Sequence, residues 1–372
     1  MQFHNADNET RIIFEAGSFD DIPDLINGRS YCVVSYGEPY FAALINRLAV
    51  KAGVALFVID DVAPNPDFVL LGKQASRLLS LQRQPEVFVA IGGGSVIDTA
   101  KVLASAGGNF ELVRSYLVTK TGEDGLANTP IIAVPTTAGT GSEVTCWATV
   151  WDNVSKKKYS LNRHALYPEH AVIDPELMLA KPLALTISTG LDALSHALES
   201  IWNINATKVS VDFAIDAATE ILDVLPKLAN DLGSLELRTR MAGATLTSGL
   251  AFSRTKTAIA HSISYPISLN HNVVHGIACS FTLPIVLHSI SDDEGLCGTS
   301  LRQIFGDDLK AASHHLTRFL TNLGISVKLA DYGIDMDEWH SIVADAFDGE
   351  RGLNFIGTQE KFLQSAKLLD ID

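Results

Sequence analysis

VFVAIGGGSVIDTAK, Val87 to Lys101, is the stretch that decides the fold. An apolar, β-branched run meets three glycines and passes at once into a helical pattern, VIDTAKVLASA, so the chain turns from strand to helix within a few residues. Glycines at such a turn let backbone N–H groups approach an anion, and the positive end of the following helix adds attraction. A pyrophosphate fits this turn. GGGS is not the GxGxxG fingerprint, however, and a glycine-rich turn alone is often only a turn.

Upstream, YCVVSY from Tyr31 and ALFVID from Ala55 repeat the pattern of a short apolar run followed by an amphipathic segment, and IIAVP from Ile131 adds another strand. This alternation predicts a parallel sheet with covering helices. ATVWD and KKKYSL, facing each other across Asn153, read as a β-hairpin, with Lys156 to Lys158 as a solvated turn. After AVIDPELMLAKP, Ala171 to Pro182, helical periodicity takes over almost to the C-terminus. The expected architecture is an α/β dinucleotide-binding domain over residues 1–180 and an all-α metal-binding and substrate domain over 181–372. No long linker separates them, which predicts close packing of the halves.

With 372 residues, 47% of them hydrophobic and 19% charged, the chain can bury a large core. A formal net charge of −15 opposes the attraction that carries nucleic-acid and anionic-membrane binding, so any anionic ligand needs a local cluster of donors. MQFHNADNET lacks the basic start and apolar stretch of a signal peptide, and no later run is long enough to span a bilayer. A cytoplasmic protein is expected. Cys32, Cys146, Cys279 and Cys297 form no CxxC pair and read as ordinary buried or half-buried thiols.

A second loop, PTTAGTGSE from Pro135 to Glu143, also follows a strand, and its Thr136, Thr137, Thr140 and Ser142 can donate to a cofactor or bond within the loop. Further on, TGLDALSHALES has helical spacing, with Ser188 or Thr189 as N-cap. Asp192 and His196 are then i and i+4 on one face, able to reach a common ion. IAHSISYPISLNHNVVHG adds His261, His271 and His275. Asp with several His suits Fe(II) or Zn(II), although each residue alone also reads as a surface pair or a core histidine.

GGGSVIDTAK, PTTAGTGSE, YPEHAVIDPEL, DALSH and HSISYPISLNHNVVHGIACSFTLP occur in the order seen in the iron-containing alcohol dehydrogenases, and over about residues 10–290 the chain resembles that family. The resemblance implies an N-terminal nucleotide-binding domain and a helical metal domain, with the metal on Asp192, His196, His261 and His275. It places the pyrophosphate at Gly93, Gly94 and Ser95, with Asp98 in the same motif, and Thr136, Thr137 and Thr140 near the nicotinamide. Asn65 matches a position near the adenine and Lys158 one near the ribose. Three positions depart from the family. Tyr36 stands where many members carry an NAD-selecting Asp, which leaves NAD and NADP both open. Tyr265 replaces a second His one turn after His261. The segment before His261 reads SRTKTAIAH in place of SNAG, bringing Arg254 and Lys256 near the metal. SRT followed by HSISYP is similar to the phosphonoacetaldehyde reductase branch, and guanidinium and ammonium groups are the usual means of holding a phosphonate or carboxylate.

The expected function is hydride transfer between NAD(P)H and a small aldehyde or primary alcohol, with a divalent metal, Fe(II) or Zn(II), polarising the carbonyl oxygen. Tyr265 or His271 is the expected proton carrier, and Arg254 and Lys256, on a helix from about Phe252 to His261, the substrate contacts. The partner is a small molecule, with neither nucleic acid nor membrane, and a homodimer is the expected assembly. A cyclising lyase resembling dehydroquinate synthase and an inactive ligand-binding scaffold are the rivals. TAGTGSE with DxxxH argues against the first, the four ligand candidates against the second.

Overall fold

The computed structural model describes residues 10–370, so the reading of the opening residues falls almost wholly outside it. The described chain divides into two compact units, one made of the residues up to Thr137 with Gly141–Met178, the other of Ala138–Thr140 with the residues from Leu179 onward.

The first unit is built on strands β1 (Arg11–Phe14), β2 (Tyr31–Val34), β3 (Phe57–Ile59), β4 (Val87–Gly92), β5 (Ile131–Pro135) and β8 (His170–Ile173), and carries helices α1 (Ile22–Ile26), α2 (Pro39–Ala52), α3 (Phe68–Leu79), α4 (Gly94–Ala106) and α5 (Phe110–Thr119). The strands form one sheet in the order β1-β8-β5-β4-β2-β3, every pairing parallel. Every residue of β4 and β5 is buried, as a strand covered by helices on both faces requires. β1 carries no distinctive sequence signal because it is a short edge strand, RIIF, with one exposed and two half-buried residues. β6 (Trp147–Asp152) and β7 (Lys157–Asn162) form the expected antiparallel hairpin. Lys156 takes the left-handed turn position at φ 51°, whereas Lys157 and Lys158 already belong to β7.

The second unit is helical: α6 (Leu183–Ile201), α7 (Lys208–Asn230), α8 (Leu235–Thr255), α9 (Ile259–His271), α10 (His275–Ser280), α11 (Leu283–Ser289), α12 (Leu296–Phe305), α13 (Leu309–Asn322), α14 (Met336–Asp348) and α15 (Gln359–Leu368). The α/β plus all-α architecture is therefore present. α6 runs through the centre of this unit and is buried on nearly every side. Two helix ends differ from expectation. α6 starts at Leu183, six residues before Thr189. Ser188 and Thr189 do not cap it, because their hydroxyls donate back to the Leu185 carbonyl at 3.1 and 2.9 Å inside the helix. Nor is there one helix from Phe252 to His261: α8 ends at Thr255, Lys256 sits at φ 63°, and α9 begins at Ile259.

Candidate metal centre and cofactor loop

α4 follows β4 so tightly that a Cβ at Gly92 would lie 2.4 Å from Val96 Cγ2, and one at Gly93 would lie 3.0 Å from Thr137 Oγ1. Glycine is needed at Gly92 for the helix to begin there. Gly93 is the N-cap and offers no side chain, and since the Val96 and Ile97 N–H groups donate to its carbonyl, the N–H groups of Gly94 and Ser95 form the cradle a phosphate can use. Around it stand Asn65, whose N–H donates to Ser95 Oγ at 3.3 Å and whose φ is 60°, and Tyr36, whose hydroxyl bonds Ser95 and is raised by burial. Gly93, Gly94, Ser95, Tyr36 and Asn65 are thus brought together.

Behind the cradle the same helix carries a buried polar network. Lys101 is fully buried and donates to the carbonyls of Ser142 (2.6 Å), Thr145 (2.8 Å) and Trp147 (2.9 Å), and to the hydroxyls of Ser142 and Thr145. Asp98 accepts from Ser142 Oγ at 2.6 Å and from the Thr149 N–H at 2.8 Å. Burial pushes the Lys101 ammonium down to about 8 and the Asp98 carboxyl up, each opposed by the charge of the other. Ser142 and Asp98 therefore hold the second loop and β6 to α4. Thr136 is buried, its N–H donates to the Gly92 carbonyl at 3.0 Å, and its Oγ1 has no partner among the described residues. Lys158 Nζ lies 5.2 Å from the centre of the Trp151 ring on the hairpin, close enough for its charge to lower Asp98.

In the helical unit α6 presents Asp192 and His196 one turn apart, α9 presents His261 from its first turn, and α10 opens with His275. Asp192 Oδ1 lies 3.5 Å from His261 Nε2 and 3.9 Å from Nε2 of both His196 and His275. Asp192 Oδ1 and His261 Nε2 are buried without a hydrogen-bond partner among the described residues. Three imidazole nitrogens converging on one carboxylate oxygen, too far apart to bond one another well, is the donor arrangement a divalent cation satisfies. Burial alone would raise the Asp192 carboxyl, yet the charges of His196, His275 and His261 hold it well below the usual range. Burial pushes His196 down to about 4, so it stands beside Asp192 as a neutral imidazole. α10 meets α6 so closely that a Cβ at Gly276 would fall 1.8 Å from the Ser188 carbonyl oxygen, which is why glycine follows His275.

Two residues of this centre escape sequence reasoning. Glu199, fully buried, accepts from His261 Nδ1 at 2.7 Å and from the N–H groups of Ala258 and His261 at 2.9 and 3.1 Å. It fixes the ring so that Nε2 faces the metal position. Cys279, read as an ordinary thiol, is buried with Sγ 3.6 Å from His275. With Asp192, His261 and His275 it forms a group whose ligand atoms all lie within 4.8 Å of one another. Spacing was the available signal for both: Glu199 is three residues after His196, and Cys279 is four after His275.

Tyr265 stacks on His275 with ring centres 5.9 Å apart and 9° between planes. His271 is not brought to the centre. It closes α9 ten residues after His261, roughly 15 Å along the axis, and its Nε2 pairs with Glu338 at 2.8 Å. Arg254 lies in the last turn of α8, two residues after Phe252, whose ring stacks on His196 at 4.1 Å. Lys256 caps that helix and faces Glu350 at 3.8 Å, so its charge is shared with an acidic neighbour.

The iron-containing alcohol dehydrogenase model matches residues 9–175, and the C-terminal model of the same family matches 186–364. Among curated relatives, the NAD-dependent methanol dehydrogenase of Bacillus methanolicus is 33% identical over 80% of each chain. The phosphonoacetaldehyde reductase of Streptomyces viridochromogenes is 36% identical over 61% of this chain and 58% of its own. The crystal structure of sulfoacetaldehyde reductase from Bifidobacterium kashiwanohense in complex with NAD+ superposes with a TM-score of 0.89, at 27% identity and full coverage of both chains. Among the described residues no helix is long and apolar enough to cross a membrane. Matches that run through both units, and through the loop and the metal ligands alike, leave one assignment: the chain belongs to the iron-containing alcohol dehydrogenase family of NAD(P)-linked, metal-dependent oxidoreductases.

Proposed function

We propose that the protein reduces a short aldehyde bearing a phosphonate, sulfonate or carboxylate at its far end, with NADH or NADPH as hydride donor. When bound, the divalent cation supplies Lewis acidity at the carbonyl oxygen, and the nicotinamide supplies hydride to the carbonyl carbon. Asp192, His196, His261 and His275 hold the cation. The N-terminus of α4 at Gly93, Gly94 and Ser95 holds the pyrophosphate, with Tyr36 and Asn65 beside it. Thr136, Thr137 and Thr140 face the cofactor and Lys158 its ribose. Tyr265, stacked on His275, is the group from which the alkoxide takes its proton, so that aldehyde, reduced cofactor and one proton give alcohol and oxidised cofactor.

The observation that carries the anionic substrate is the position of Arg254, on the turn of α8 that packs Phe252 against the ligand His196. Two of the similar proteins are named for reducing two-carbon aldehydes with an anionic end, which supports the same choice. The test is a panel of neutral and anionic aldehydes assayed with both cofactors after metal reconstitution. Phosphonoacetaldehyde or sulfoacetaldehyde should exceed propanal in kcat/KM by at least about tenfold, and Arg254→Ala should narrow that gap by one to two decades. A wild-type preference for neutral aldehydes would leave a general short-chain reductase.

A further inference from the structure

Beyond α14 the chain turns back along the helical unit through Gly349–Asn354, and this segment delivers a second guanidinium to the neighbourhood of the metal ligands. Arg351 lies with its guanidinium carbon 4.9 Å from the centre of the Tyr265 ring, the ring that stacks on His275. The Arg351 Nε donates to Thr257 Oγ1 at 2.9 Å. Thr257 is buried and stands two residues before α9, the helix that carries His261 and Tyr265.

The platform under Arg351 is rigid. Asn354 Nδ2 donates to the Thr257 carbonyl at 2.9 Å, and the Asn354 carbonyl accepts from the Ile204 N–H at 2.7 Å. A Cβ at Gly352 would lie 1.9 Å from the Ala346 carbonyl oxygen, so this segment packs directly on the end of α14. Arg351 is half-buried, and no carboxylate pairs with it among the described residues. The acidic neighbour Glu350 turns instead to Lys256 and is 89% exposed. A guanidinium withdrawn from water without a counter-charge is costly, and one cation–π contact offsets only part of that cost. With Nε taken by Thr257, the two terminal amino groups of the fork remain, and a tetrahedral or planar oxyanion is what such a pair binds best.

We infer that Arg351, clamped by Thr257 and laid on Tyr265, binds the anionic end of the substrate. The inference rests on the anionic-aldehyde reading above and adds the residue that determines specificity. Tyr265 touches both the guanidinium and His275, so a two-carbon chain with its carbonyl at the metal would carry its phosphonate or sulfonate toward Arg351. This gives Tyr265 a second use, as the wall along which such a chain lies. Thr257 is a positioning residue, acting through the Arg351 Nε.

The test compares wild type with Arg351→Met, Arg351→Lys and Thr257→Val, each with metal reconstituted. It uses the ratio of kcat/KM for phosphonoacetaldehyde over propanal, and the affinity of the enzyme–NADH complex for ethylphosphonate followed by NADH fluorescence. Arg351→Met should lower the ratio by roughly ten- to a hundredfold, mostly through KM, and weaken ethylphosphonate to the same degree. Arg351→Lys should fall between, keeping the charge and losing the fork, and Thr257→Val should raise KM for the anionic substrate alone. If wild type prefers the anionic aldehyde and binds ethylphosphonate while Arg351→Met does both equally well, Arg351 is not the anion contact and the anionic reading stands on Arg254. A wild type indifferent to substrate charge overturns both, and that failure is visible before any variant is made. A parallel loss on both substrates in all three variants marks Arg351 as structural and also overturns the inference.

Discussion

Two buried helices carry near-identical sequence signals and put them to different ends. On α4, Asp98 and Lys101 are three residues apart. On α6, Asp192 and His196 are four apart, and all four groups are withdrawn from bulk water. The α4 pair is satisfied by protein: the ammonium has five oxygen acceptors and the carboxylate two donors. The α6 pair is not, since Asp192 Oδ1 and the facing His261 Nε2 are buried without partners among the described residues. A polar cluster that completes its own hydrogen bonds is a brace. One that leaves converging lone pairs is built for something outside the chain. Spacing alone does not separate these cases; the count of satisfied atoms does.

Removing one member from each cluster breaks the comparison most directly. His261→Ala should lower metal affinity by on the order of a hundredfold or more, and turnover with it, while dinucleotide binding persists. Metal analysis after dialysis decides this, and full occupancy in the variant would sink the ligand assignment. Lys101→Met should do the opposite. It leaves the Asp98 carboxylate buried beside an apolar chain and should cost roughly 3–5 kcal/mol of stability, with metal affinity kept. Urea unfolding of the two variants side by side gives the contrast, and a Lys101→Met protein as stable as wild type would show that α4 is no brace.

What could be read in the sequence follows the same division. The parallel sheet, the hairpin and the helical second half were legible because periodicity and glycine placement are local, and β4 running into GGGS is as local as a signal can be. Asp192 and His196 were legible because one helical turn joins them. Glu199 was not, although it lies on the same helix, because its role depends on α9 returning a histidine ring and two N–H groups to it across 59 to 62 residues of sequence. Arg351 was invisible for the same reason, being 94 residues from its partner Thr257. The bond between Ser142 and Asp98 was not legible, because a motif does not say which of its polar groups bond each other. The pairing of His271 with Glu338 was not legible either, because it joins two helices 67 residues apart.

Glu199→Gln sharpens the comparison from the metal side. The amide keeps the shape and one acceptor but loses the charge that favours donation from His261 Nδ1, and the ring is less firmly aimed. A loss of about ten- to a hundredfold in metal affinity is expected, smaller than that of His261→Ala, with the fold intact. Competition with a fluorescent chelator measures it, and an unchanged dissociation constant would reduce Glu199 to a packing group.

The smallest effect on ligand binding concerns Glu143, the exception within the braced region. Its carboxyl is buried at the end of the second loop and accepts from its own N–H. No ion pair involves it among the described residues, and burial pushes it up to about 7 despite the nearby charge of Lys101. Its folded value is therefore above the ordinary 4.5. At pH below 4.5 the proton is on in both states and nothing is lost. As pH rises from 4.5 to about 7 the unfolded chain releases the proton while the folded chain keeps it, so stability falls across that window and levels off above it. Glu143→Gln cannot ionise and escapes this loss. With both proteins stripped of metal by chelation, the variant should match wild type near pH 4.5 and exceed it by about 3 kcal/mol at pH 8, the 1.4 kcal/mol per unit acting over nearly the whole shift. Cofactor affinity should follow the fold and change little. If urea unfolding gives the same difference between the two proteins at both pH values, the Glu143 proton has a partner that lowers its cost, and the loop is as fully satisfied at its end as it is at Lys101.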